Sequence, residues 1–319
     1  SLRGARRQMG GSVFTFAGGK GGVGKTSTTA NVGIALTRED FDVAVVDADI
    51  GMTNLGRLLG VTAEQGIHSV LAGNADLADV VAEGPGDLAV VPGETGLPPT
   101  EAADPANLKR VINPLVERAD IVLVDTGAGL SHETLVACGL ADAVALVTTP
   151  DDVAVGDTGK SAELAGHVDT PVLGTILTRA TADIDIDAVV EGLEADVVAA
   201  IPEYRDVDAA EPRLLDAPES PAAAEYERLA TTLAVCHKSG DLDEPVAEAS
   251  AETAPPAITA MPGGGATTTP VAGSEAAATD SNSVLGSDEG AGDHGSGDGS
   301  TTPSAGPLRG LLQRLRSLG

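Results

Sequence analysis

Residues 13–26 read Val13-Phe14-Thr15-Phe16-Ala17-Gly18-Gly19-Lys20-Gly21-Gly22-Val23-Gly24-Lys25-Thr26. A short, largely apolar run leads into a glycine-rich loop, and a helical pattern begins near Lys25. Gly19 to Thr26 satisfies G-x-x-x-x-G-K-[ST], the pattern of a phosphate-binding loop. The flanking strand and helix turn the pattern into a mechanism. Glycines let successive backbone N–H groups converge on phosphate oxygens, and the helix N-terminus adds a favourable dipole. Gly19, Gly21, Gly22, Val23 and Gly24 supply that backbone, Lys25 reaches the β- and γ-phosphates, and the Thr26 hydroxyl ligates Mg2+. Ser27 follows on the first turn of the helix and joins the same set. Lys20 is surplus to an ordinary loop of this kind.

Working outward, short apolar runs alternate with longer helical patterns from residue 12 to about 238. The runs are 13–17, 43–47, 88–91, 121–125, 143–148, 172–178 and 197–201. Near-continuous Val/Ile/Leu stretches suit strands buried on both faces of a parallel sheet. Helices are expected at about 25–38, 105–118, 131–140, 153–166, 185–193 and 220–238, the last with Tyr226, Leu229, Leu233 and Cys236 at core-like spacing. The expected fold is α/β: a doubly wound, mostly parallel sheet with helices on both faces, and ligands at the carboxyl ends of its strands.

Two of those strands end in aspartate. Asp47 and Asp49 follow the second, in Val-Val-Asp-Ala-Asp-Ile-Gly-Met-Thr-Asn-Leu, and Asp125 ends Ile-Val-Leu-Val-Asp-Thr-Gly-Ala-Gly. An aspartate after an apolar strand, in a chain with a phosphate loop, is the expected water-mediated partner of Mg2+. The alternative for each is an ordinary cap on a helix or turn.

The loop with its second lysine, Asp47-Ala48-Asp49, and Asp125-Thr126-Gly127-Ala128-Gly129 together resemble the deviant Walker A ATPases of the MinD/ParA group, closest to its archaeal MinD-like members. The resemblance covers about residues 11–238 and extends through Thr149-Pro150-Asp151, Asp157 and Ile201-Pro202-Glu203. It implies ATP and Mg2+ as ligands and slow, partner-stimulated hydrolysis of ATP to ADP and phosphate. Lys20 becomes the signature lysine that reaches across an ATP-dependent homodimer to the partner's phosphates, where a cation stabilises developing charge. It further implies that Lys20, Lys25 and Asp49 are catalytic, with Asp49 acting on the attacking water. Thr26, Asp49 and Asp125 serve the metal, and residues 126–131 form a switch that senses the γ-phosphate. The sequence departs from the family at Thr178-Arg179, where Asn-Arg is usual and the amide contacts adenine. The base is then read by backbone groups near Pro202 and Glu203, or by the Thr178 hydroxyl. Asp-Thr-Gly also replaces Asp-Ser/Thr-Pro after the Asp125 strand, which loosens the switch.

Charge narrows the choice of partner. Lys and Arg number 19 against 48 Asp and Glu, a formal net charge of −29, and aromatics are 2%. Such a composition suits solubility in concentrated salt, hence a halophilic source, and disfavours a broad nucleic-acid surface. Cys138 and Cys236 belong to no C-x-x-C pair and read as small core residues of a reducing cytoplasm. That disfavours an iron–sulfur carrier of the same superfamily. Residues 1–10 read as an N-terminal extension, with Met9 as the expected start. The stretch 1–8 has arginines but no apolar core of a signal peptide.

The ATPase domain is expected over 11–239. Beyond it, 240–306 are rich in Asp, Glu, Ala, Gly, Ser, Thr and Pro and carry no periodic apolar stripe, the composition of a disordered acidic linker. Residues 307–319 differ. At about 100° per residue, Leu308, Leu311, Leu312, Leu315 and Leu318 share an arc of about 120°, with Arg309 and Arg316 on one flank and Arg314 on the other. This is the pattern of a helix lying in a membrane interface, and it resembles the targeting tail of MinD proteins. Two such helices tethered in a dimer bind far better than one.

The leading function is therefore an ATPase that dimerises on ATP, cycles between cytoplasm and the cytoplasmic face of the membrane, and positions division, motility or chemosensory machinery, a polar location included. An unidentified protein partner stimulates it. The alternative is ParA-type DNA segregation, which the acidic balance and the amphipathic tail disfavour.

Overall fold

The computed structural model describes residues 10–94, 103–151, 170–181, 195–203 and 211–252, together with 189, 191 and 193. The helix expected at 153–166, most of that expected at 185–193, Asp157, most of the acidic stretch and the 307–319 tail lie outside them.

The strands fall where continuous apolar runs place them: β1 (Ser12–Ala17), β2 (Val43–Asp47), β3 (Ala82–Glu83), β4 (Ala89–Val91), β5 (Ile121–Asp125), β6 (Ala143–Thr148), β7 (Val172–Ala180) and β8 (Val197–Pro202). They form one sheet in the order β3-β4-β2-β5-β1-β6-β7-β8. The pairs are parallel except β3 with β4, which are antiparallel at the edge. The two-residue β3 is too short to show an alternating pattern and carries no sequence signal.

Burial on both faces explains the apolar runs. On one face Phe14, Phe16, Val43, Val45, Ile121 and Leu123 join a core under α1 (Lys25–Arg38) and the long C-terminal helix of the domain. On the other, Val13, Ala17, Ala44, Val46, Val122 and Val124 pack beneath the helices that follow β2 and β4. Alternate side chains of each strand therefore feed opposite layers.

Between β2 and β3 lie three short helices, α2 (Leu55–Leu58), α3 (Ile67–Leu71) and α4 (Leu77–Val80). Next come α5 (Lys109–Val116), preceded by a 3-10 turn from Pro105, and α6 (His132–Leu140). Ser131 starts α6 by accepting from the Thr134 N–H at 3.3 Å, as an N-cap serine does. Helix α1 is buried nearly all round and lies close to the sheet. A Cβ on Gly33 would come within 2.9 Å of a Val45 methyl.

After α7 (Arg213–Asp216), α8 (Pro221–Ser239) starts with Ser220 as cap and Pro221 in its first turn, and ends at Gly240 with φ of 68°. Ordered structure does not end there. A further helix, α9 (Asp243–Glu252), lies within the stretch read as linker. Ala249 is buried, Leu242 and Val246 pack on the core, and Arg228 Nη1 donates to the Ala249 carbonyl at 3.5 Å. Three apolar residues among many acidic ones suffice to dock a helix on a surface already built, although they make too thin a stripe to stand out in composition.

Cys138 and Cys236 are both buried and unpaired. Burial pushes their thiols up to about 12 and about 11 respectively, so both behave as small apolar core residues. No helix among the described residues is long and apolar enough to cross a membrane.

Candidate functional site

The register of the central strands assembles the site. β1 lies between β5 and β6, and β5 lies between β1 and β2. Phe16 pairs with Asp125 and Asp47 pairs with Asp125, so three strands end at one level. The loop from Gly18 to Gly24 leaves β1 there and enters α1. Its turn needs left-handed backbone at Gly22 (φ 77°) and at Gly24 (φ 94°), the residue before α1, and only glycine adopts this freely.

Lys25, Thr26, Asp49 and Asp125 converge on this loop. Lys25 is 6% exposed, and its ammonium donates to the Lys20 carbonyl at 3.2 Å. Burial lowers its pKa, while the charges of Asp125 and Asp49 oppose that shift. Asp125 is buried to 1%. Burial raises its carboxyl to about 7, against a hydrogen bond from the Thr26 hydroxyl and the Lys25 charge. Its Oδ1 has no hydrogen-bond partner among the described residues. A buried oxygen left this way, beside a threonine hydroxyl and a lysine, fits the water shell of a hard divalent cation that a phosphate ligand also holds.

The three aspartates play different parts. Asp47 Oδ2 accepts from the Asn54 and Leu55 N–H groups, each at 3.0 Å. It therefore satisfies the start of α2, and the capping alternative holds for this residue. Burial, with Asp125 beside it, keeps its carboxyl well above the usual range. Asp49 is only part-buried, and its Oδ1 accepts from the Met52 N–H at 3.0 Å. Burial raises its pKa, opposed by that N–H and by Lys25. A Cβ on Gly127 would stand 3.1 Å from Asp49 Oδ1, so the carboxylate rests directly on the loop after β5.

That loop is braced against the phosphate loop. The Thr126 hydroxyl donates to the Phe16 carbonyl at 2.8 Å, and the Gly129 N–H to the Gly18 carbonyl at 2.9 Å. The loops after β2 and β5 each carry an exposed apolar side chain, Met52 and Leu130. Lys20 is exposed at the rim.

A cavity of about 280 Å³ opens beside the phosphate loop toward β7 and β8. Six residues expected to hold the nucleotide, Gly24, Ser27, Thr178, Arg179, Pro202 and Glu203, line it together. Further lining residues, Glu211, Arg213, Ala222 and Tyr226, escaped the sequence reading. Tyr226 sits at a core position of α8, and its spacing says nothing of the cavity edge. Glu211 and Arg213 lie just before and at the start of the four-residue α7, which is too short to show periodicity. Asn31 of α1 steadies them, its Nδ2 donating to Glu211 Oε2 at 3.0 Å and its Oδ1 accepting the Leu214 N–H at 2.9 Å. The Thr178 hydroxyl donates to the Val23 carbonyl at 2.6 Å, within the phosphate loop.

Comparison with known proteins agrees with this geometry. The family profile described as the CobQ/CobB/MinD/ParA nucleotide binding domain matches residues 14–215. An ATP-binding protein of Methanocaldococcus jannaschii is 33% identical over 229 residues, covering 69% of this chain and 87% of that protein. A flagellum site-determining protein of Helicobacter pylori is 36% identical over 151 residues, 45% of this chain and 50% of that protein. Among solved structures, the septum site-determining protein MinD of Pyrococcus horikoshii, complexed with Mg-ADP, superposes with a TM-score of 0.64. It is 31% identical, with 70% of this chain and 95% of that one covered.

Proposed function

Since the chain belongs to the CobQ/CobB/MinD/ParA family of nucleotide-binding domains, we propose that it is an ATPase of the MinD kind, which dimerises on ATP, binds membrane reversibly and positions cellular machinery. The observation that carries this reading is the cluster of Lys25, Thr26 and Asp125 at the start of α1, with Asp49 on the neighbouring loop. The solved MinD relative with Mg-ADP supports nucleotide and metal as its ligands.

In this reading the N–H groups of Gly21 to Lys25 cradle the β-phosphate, and Lys25 sets its charge against the β- and γ-phosphates. Thr26 and Asp125 would hold Mg2+, which when bound would neutralise charge on the phosphate oxygens. Asp49, kept above Gly127 and tied to the Met52 N–H, orients the attacking water. Lys20 at the rim serves the partner subunit's nucleotide, so that hydrolysis and dimerisation depend on each other. Met52 and Leu130, exposed on the two flanking loops, give the dimer face its apolar contacts.

ATP-driven pairing brings two 307–319 tails together and so raises their joint affinity for lipid. The septum and flagellum site-determining relatives support a role in placing cellular structures. Phosphate release, sizing with ATP and liposome flotation test the scheme in parallel. Lys25→Ala abolishes all three signals. Lys20→Ala retains nucleotide binding but loses the dimer, and deletion of 307–319 spares basal hydrolysis while losing flotation. Unchanged flotation of the tail-deleted, ATP-bound protein would sink the membrane part of the proposal.

A further inference from the structure

A loop that turns its N–H groups toward a phosphate turns its carbonyls away from it, and carbonyls near the interior need donors of their own. Here two consecutive donors come from a distant strand. The buried Val23 carbonyl accepts the Thr178 hydroxyl at 2.6 Å, and the Gly22 carbonyl, at the exposed edge of the loop, accepts Arg179 Nη2 at 2.6 Å. The Thr178 oxygen also lies 3.1 Å from the carbonyl of Thr148, the last residue of β6. A hydroxyl has one hydrogen to give, and the shorter contact takes it. Thr178 is 5% exposed, so its side chain is held inside the β6–β7–loop junction. Arg179 takes φ of 56°, a left-handed conformation that residues other than glycine rarely adopt. That turn lies where its guanidinium meets the loop.

Resting on the nucleotide-binding reading above, we propose that Thr178 and Arg179 are positioning residues for the phosphate loop, not readers of the base. Thr178 and Arg179 hold the outward carbonyls of Val23 and Gly22, which fixes the plane of the next peptide in each case and so aims the N–H groups of Val23 and Gly24 inward. The two residues also line the cavity of about 280 Å³ beside the loop, yet the hydroxyl hydrogen is already committed to Val23 and is not offered to a base. Their effect therefore falls equally on every ligand that presents the same phosphates, whatever its base.

The test compares Mg-ATP, Mg-GTP and Mg-tripolyphosphate, the last having no base, on the full chain. Thr178→Val removes the hydroxyl and keeps the shape; Thr178→Ser restores it; Arg179→Met removes the second donor at an exposed position. For Thr178→Val, affinity falls by about five- to tenfold for all three ligands, because the released Val23 peptide turns the Gly24 N–H from the phosphate and weakens one hydrogen bond to a charged group. The ATP-to-GTP ratio stays at the wild-type value. KM rises by the same factor while kcat changes little, the mark of binding lost equally from ground and transition states. Thr178→Ser recovers the affinity, and Arg179→Met weakens all three ligands together.

A changed ATP-to-GTP ratio with unaltered tripolyphosphate affinity overturns the proposal and makes Thr178 a base reader. Unaltered binding of all three ligands overturns it as well. If Thr178→Val fails to fold by circular dichroism, Arg179→Met decides by the same criteria. Wild-type protein that binds none of the ligands overturns the nucleotide reading itself, which no variant result can do.

Discussion

Replacing Asp125 by asparagine should stabilise the metal-free protein at mildly alkaline pH while disabling it. The Asp125 carboxyl is fully buried and stands at about 7 in the folded protein, against an ordinary value of 3.8. The folded state thus holds this proton more tightly than the unfolded chain does. Its contribution to stability is complete below the unfolded value, declines as pH rises, and is lost above about 7. Each pH step between those limits costs about 1.4 kcal/mol. From about pH 5 to about pH 8 the wild type therefore loses on the order of 3 kcal/mol as the Asp125–Asp47 pair gives up its protons.

Asparagine is neutral in both states and removes this group's share of the decline. It also partly relieves Asp47, whose carboxyl is held up by burial first and by Asp125 second. Urea denaturation in EDTA at the two pH values measures the difference, and the advantage of Asp125→Asn over wild type should grow by up to about 3 kcal/mol toward alkaline pH. Adding Mg2+ and nucleotide should reverse the ranking, because the metal role proposed for Asp125 needs a carboxylate. Since metal binding must displace the proton, apparent metal affinity of the wild type falls about tenfold per pH step below 7. Parallel pH–stability profiles for the two proteins, or equal stabilisation of both by Mg-nucleotide, would refute the reasoning.

Three other outcomes are expected. Asp47→Ala strands the N–H groups of Asn54 and Leu55 and should cost about 2–4 kcal/mol in denaturant titration, whereas Asp47→Asn keeps an acceptor and loses much less. Gly127→Ala places a methyl 3.1 Å from Asp49 Oδ1. Hydrolysis should drop by about tenfold or more as that carboxylate shifts, with nucleotide affinity held within about twofold in a fluorescence titration. With a formal net charge of −29, self-repulsion should make the melting temperature rise as KCl goes from about 0.1 M to about 2 M and the screening length falls below about 3 Å. A falling melting temperature would remove charge repulsion as the dominant salt effect.

The strands were legible because burial on both faces leaves them no choice of residue type: 43–47, 121–125 and 143–148 coincide with the observed β2, β5 and β6. Helix α1 was equally plain, since the loop before it is written in one local string. Asp47 and Asp49 were not separable that way. They stand two residues apart in nearly identical surroundings, and the hydrogen bonds from Asn54 and Leu55 exist only because the chain returns there after a loop. α9 was lost for a related reason, since its few apolar residues matter only against a surface made by α8 and β8.

By itself the sequence determined the α/β architecture and the phosphate loop, because strand burial and loop chemistry are local properties that residue type and spacing express directly. Tertiary structure alone decided that Asp47 satisfies the start of α2, and that the Thr178 hydroxyl reaches Val23 across 155 residues of chain. Such pairings depend on strand register and on the approach of distant loops, and no local pattern of side chains encodes either.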